Sequence, residues 1–159
     1  MAYARLRAAA NHALSLDSTQ SVAWGTLTLA TISLDYDSVA ALRLSRRAVS
    51  SDPRQSLAHD ALSMATVLAG RVEDGVPEAL LGFEADTLSA TAAMFYLAHL
   101  HLARHVDAIQ AVLPRMRLAL APDDIRAWEG WVHFMHGDAA GAAERFTWQW
   151  FGGWFGGRV

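Results

Sequence analysis

Ser21 to Pro53 reads SVAWGTLTLATISLDYDSVAALRLSRRAVSSDP, and this stretch decides the fold. Two helix-favouring runs flank the polar interruption Asp35-Tyr36-Asp37. The second run ends on Ser51-Asp52-Pro53, where serine and aspartate cap a new helix and proline is tolerated in its first turn. The same punctuation recurs at Leu16-Asp17-Ser18, Ala85-Asp86-Thr87 and Ala121-Pro122-Asp123, so its aspartates stand at 17, 52, 86 and 123. A second marker keeps step: Trp24, His59, Ala93 and Trp128 are 35, 34 and 35 residues apart. Between breaks, Asp35-Tyr36-Asp37, Gly70-Arg71, Arg104-His105 and Gly137-Asp138 divide each unit in two with turn and cap residues. The pattern predicts paired antiparallel helices at a period near 35 residues, with no strand-like alternation between them.

Composition agrees. Hydrophobic residues make up 53% and charged residues 18% of 159, and only four prolines interrupt the chain. Alanine, the best helix former, crowds its middle stretches. There is no cysteine, which excludes disulfide and thiolate chemistry. No run is long and apolar enough for a secretory signal or a membrane span, so the sequence reads as a soluble, cytoplasmic protein without a membrane role. All thirteen cationic side chains are arginines against sixteen acids. The nearest cationic stripe, Arg43, Arg46, Arg47 and Arg54, reads as a solvated helix face, which argues against nucleic acid.

These residues resemble the tetratricopeptide repeat family, whose 34-residue unit is a helix–turn–helix. Trp24, Leu27, Ala41, Ala48 and Pro53 match its aromatic, leucine, alanine and proline positions, and Trp128, Trp131, Gly137, Ala142 and Phe146 match in the last unit. The central units depart from the pattern. Gly75 and Gly82 replace second-helix alanines, and Pro114 is expected to interrupt the second helix of the third unit. The resemblance covers about residues 1–146. It implies an all-α, right-handed superhelical solenoid, divided into a half repeat 1–17 and repeats at about 18–52, 53–86, 87–122 and 123–146.

In that family the first helix of each unit lines a concave wall. By register the wall takes Val22, Gly25, Leu29 and Ile32, then Leu57, Asp60, Met64 and Val67. It continues through Thr91, Met94, Ala98 and His101 to Arg126, Glu129, His133 and His136. The resemblance thus implies a peptide-binding site carried by Leu29, Asp60, Met64, Met94, His101, Arg126, Glu129, His133 and His136, graded from apolar to charged. A protein or peptide partner is expected, as in a scaffold of a bacterial system. The lysine and asparagine clamp of chaperone-binding members is absent, since the chain has no lysine and only Asn11.

Two alternatives stay open at this point. His101 with His105, and His133 with His136 and Glu129, have spacings that could place ligands on one metal. No HExxH motif, Walker loop, serine elbow or Rossmann fingerprint accompanies them, so neither a metal, a cofactor nor catalysis is expected. The other alternative is self-assembly. Residues 147–159 repeat Trp-Phe-Gly-Gly at 150–153 and 154–157. That tail reads as a cap folded over the solenoid end, an aromatic insert for its own or a neighbour's groove, or an artificial or reading-frame scar. The unconventional stop and the opening half unit predict association through an end, or a segment of a longer protein.

Overall fold

The computed structural model describes residues 2–146; the tail at 147–159 lies outside the described residues. Nine α-helices are described: α1 (Ala2–Leu16), α2 (Ser21–Asp35), α3 (Ser38–Ser51), α4 (Ser56–Leu68), α5 (Val72–Ala85), α6 (Ala90–Leu102), α7 (Val106–Val112), α8 (Pro122–Met135) and α9 (Ala139–Arg145). A 3₁₀ segment, Leu113–Met116, continues α7. No strand occurs among the described residues, as the all-α reading expects.

Each first helix ends on one residue with left-handed backbone. Those residues are Tyr36 (φ 53°), Gly70 (φ 77°), Arg104 (φ 61°) and Gly137 (φ 81°), at steps of 34, 34 and 33. Glycine takes this conformation freely, whereas tyrosine and arginine take it at a cost. The period is therefore written in backbone conformation as well as in residue type.

The links between units repeat as well. The carboxylates of Asp17, Asp52 and Asp86 each accept a hydrogen bond from the backbone N–H two residues on, at 2.8, 2.9 and 3.2 Å. Each aspartate carbonyl also accepts from the N–H three residues on. This turn needs an acceptor on a short side chain, which is why aspartate recurs there. Thr19 and Gln20 hold the Asp17 carboxyl below its usual range, chiefly through the Thr19 hydroxyl.

The fourth break is built differently. Ala121 precedes α8, Pro122 opens it, and Asp123 lies inside its first turn. Successive first helices start after Gln20, Gln55, Ser89 and Ala121, steps of 35, 34 and 32. The shortening has a cause. Pro114 lacks an amide N–H, and α7 stops after seven residues in the 3₁₀ segment that carries it. Counted from the cap, the counterpart of Trp24, His59 and Ala93 is consequently Ile125. Trp128, which keeps the interval of 35 in sequence, stands almost one helical turn further along.

The chain divides into two compact units, ending at Ala103 and beginning at Arg104, inside the third expected repeat. In the first unit α2 packs on α3, α4 on α5, and α2 on α4. Small residues make these approaches close. A side chain on Gly25 would meet the Leu57 backbone at 3.3 Å, and one on Gly75 would meet the Ser63 carbonyl at 3.1 Å. Ala30, Ala41, Ala48, Ala58, Ala61, Ala65 and Ala79 are all fully buried, and Phe83 stacks on Tyr96 with ring centres 6.2 Å apart. Trp24 is half-buried, donates to the Ser18 carbonyl and lies 4.5 Å under the Arg47 guanidinium. In the second unit the core is Ile109, Leu113, Met116, Leu120, Ile125, Ala127, Trp128, Val132 and Ala142.

Candidate functional site

In the first unit α2 packs flank to flank on α4, and α4 on α6, so three first helices present adjacent faces. Leu29, Met64 and Ala98 stand nine residues after their caps and are half-buried. One position earlier, Thr28, Ser63 and Leu97 are fully buried against the interior. Val22 and Leu102, on the same helices, are about half exposed. Leu29 and Met64 are thus half-buried apolar side chains at equivalent positions of neighbouring first helices. Met94 and His101 are half-buried on α6.

Asp60 differs from the other expected site residues. It is 2% exposed and lies against Gly82 of α5, where a β-carbon would collide with its Oδ1. That oxygen has no hydrogen-bond partner among the described residues. Burial pushes the carboxyl up to about 7, against a smaller opposing pull from His59. His59 is buried and tied on both sides: Nε2–H donates to the Pro53 carbonyl (2.9 Å), and Nδ1 meets Glu78 Oε2 at 2.8 Å. Asp60 therefore fills a helix–helix contact and offers no accessible charge. In sequence its clue is Gly82, a missing side chain 22 positions away.

Arg126, Glu129, His133 and His136 all lie on α8 in the second unit or at its end. Arg126 Nη2 reaches the Glu144 carbonyl of α9 at 3.4 Å, and His133 Nδ1 meets Asp138 Oδ2 at 2.7 Å. Asp138 also caps α9 by accepting from the Gly141 N–H. That bond and His133 hold its carboxyl below the usual range. His136 Nε2 meets Asp107 of α7 at 3.2 Å. These side chains thus turn toward the second helices α7 and α9. Glu129 stands eight residues after its cap, the position that Thr28, Ser63 and Leu97 fill in the first unit. Here the position lines a cleft beside the seven-residue helices α7 and α9.

The cleft has two adjoining parts. One, about 250 Å³, is lined by Gln110, Leu113, Pro114, Arg117, Glu129, Val132, His133 and Arg145. The other, about 330 Å³, is lined by Arg117, Leu120, Pro122, Ile125, Arg126 and Glu129. Sequence reasoning missed Arg117 and Arg145, which carry no motif and meet only through the fold. Among the described residues no three histidine or acidic side chains converge as metal ligands would. No described helix is long and apolar enough to cross a membrane.

No protein-family model matches the sequence, and no curated protein does. The fold is similar to that of a solved thermophilic TPR protein from Thermus thermophilus. The TM-score is 0.71 and the sequence identity 17%, over 90% of this chain and 79% of that one. The likeness establishes a tetratricopeptide-type fold.

Proposed function

We propose that this chain is a non-catalytic scaffold that binds a peptide segment of another protein on its first-helix faces. One observation supports the reading: α2 packs beside α4 and α4 beside α6, with the half-buried apolar side chains of Leu29 and Met64 at equivalent positions. An amphipathic helix or extended segment would bury its apolar side there, and methionine adapts to varied side chains.

Selection of a displayed peptide library on the purified chain tests the reading. Enriched peptides are expected to weaken at least tenfold against Met64→Glu and to bind Val39→Glu normally, since Val39 is 78% exposed on α3. Failure to enrich any peptide, or equal losses in both variants, would contradict it.

A second reading, self-association, rests on α1, where Tyr3 and Leu6 are 46% and 44% exposed. It predicts a concentration-dependent dimer in sedimentation that Leu6→Glu abolishes. A monomer at every concentration would remove it.

A further inference from the structure

On α8 the cleft of the second unit is lined by Ile125, Arg126, Glu129, Val132 and His133 and not by the position equivalent to Leu29 and Met64. That position, nine residues after the cap, is Gly130 in α8, and it is covered by the Phe146 ring. The cleft carries a charge pattern that the apolar faces lack. Arg117, Arg126 and Arg145 border its two parts, and Glu129 is the one acid lining them among the described residues.

Among the described residues the three guanidinium groups are incompletely used. Each has five N–H donors. Arg117 is exposed and makes no hydrogen bond or ion pair among the described residues. Among the described residues Arg126 has one contact, at 3.4 Å to a backbone carbonyl. Arg145 donates to the Gly141 carbonyl at 2.9 Å and stands 3.9 Å from the exposed Glu144 carboxylate. Glu129 is likewise unpaired among the described residues. His133 is already engaged by Asp138.

We propose that this cleft is a second docking surface, selective for an acidic segment of a protein partner. The partner's carboxylates lie between Arg117, Arg126 and Arg145, where guanidinium forks match carboxylates in pairs. Its apolar side chains rest against the exposed rings of Pro114 and Pro122. Glu129 repels a carboxylate from the middle of the cleft and so fixes the register of the acids toward the arginines. Two cavities in a row exceed the footprint of one small anion, which favours a peptide. The inference rests on the protein-binding reading and adds the chemistry of one partner.

A fluorescently labelled, acetylated octapeptide of alternating Glu and Leu, with a Gln–Leu analogue as control, tests it by polarisation. The Glu peptide is expected to bind at least tenfold more tightly than the analogue and to weaken with salt. It should weaken at least tenfold against Arg117→Glu and Arg126→Glu, variants whose melting curves confirm folding. Equal binding of the two peptides overturns the inference, as does indifference to both charge reversals. Displacement by millimolar inorganic phosphate identifies a small-anion site and also overturns it. So does binding that appears only after residues 147–159 are deleted, which would make the tail the occupant. Loss in Met64→Glu alone would reject this cleft while leaving the protein-binding reading intact.

Discussion

Between Gln20 and Ala103 the helices meet mostly through buried alanines and close-packed glycines, with Phe83, Leu97 and Leu100 among the few large buried side chains. Beyond Arg104 the buried set holds two alanines, Ala127 and Ala142, beside the larger Ile109, Leu113, Met116, Leu120, Ile125, Trp128 and Val132. The two regions share their left-handed turns, yet they fill space differently. Where second helices run 14 residues, as in α3 and α5, small side chains let backbones approach, and Thr28, Ser63 and Leu97 are fully buried. Where Pro114 ends α7 early and α9 is equally short, bulky side chains occupy much of the vacated volume, and Glu129 opens into a cleft. Beside these short helices the position that is fully buried in the first unit is held by the half-buried Glu129.

The largest expected effect probes the second region. Trp128→Ala removes a side chain that is 3% exposed, and its cost is expected at about 3–5 kcal/mol. Hydrogen exchange should show α8 and α9 losing protection while α2 to α5 keep theirs. Equal loss throughout would make the two units one cooperative body and dissolve the comparison.

The first region is probed next, through Asp60. Its folded carboxyl is raised to about 7 from an ordinary 3.8. The folded state then holds the proton more tightly than the unfolded chain does. The associated stability is fully present below about pH 4 and is lost as pH rises through 7. Asp60→Asn removes this dependence. The stability of the variant relative to the parent should grow by something on the order of 3 kcal/mol between pH 5 and 8. A difference that stays flat with pH would show that the carboxylate is solvated and that the Gly82 contact is looser than described.

The smallest effects test what both regions share. Gly70→Ala has free space around it but a φ of 77°, so it is expected to lose about 1 kcal/mol. Tyr36→Gly, at a position 75% exposed, should gain about 0.5 kcal/mol by relieving the left-handed tyrosine. Denaturant melts of the pair read both; the same sign for the two would break the assignment of equivalent turns.

Much of this fold is legible in the chain because its punctuation is chemical. Asp17, Asp52 and Asp86 recur where a side-chain acceptor closes the same turn, and Gly70 and Gly137 mark left-handed residues openly. Tyr36 and Arg104 take that conformation without a glycine to announce it. The sequence shows that the chain divides there but not how the backbone turns. Trp128 keeps a numerical interval that the shortened link before α8 does not respect, and only the caps reveal the offset. The polar site residues are the least legible. Asp60 reads as a wall residue until Gly82 is set against it, and Arg126 and His133 read likewise until α9 and its cap supply their partners. Such outcomes depend on residues opposite in space, which a single helix pattern does not encode.

The recurring left-handed turn is the central claim, and backbone ¹³C and ¹⁵N chemical shifts of the labelled chain test it most directly. The account predicts positive φ at Tyr36, Gly70, Arg104 and Gly137, each separating two helical stretches. Helical shifts running unbroken through those residues, or extended shifts on either side of them, would contradict it.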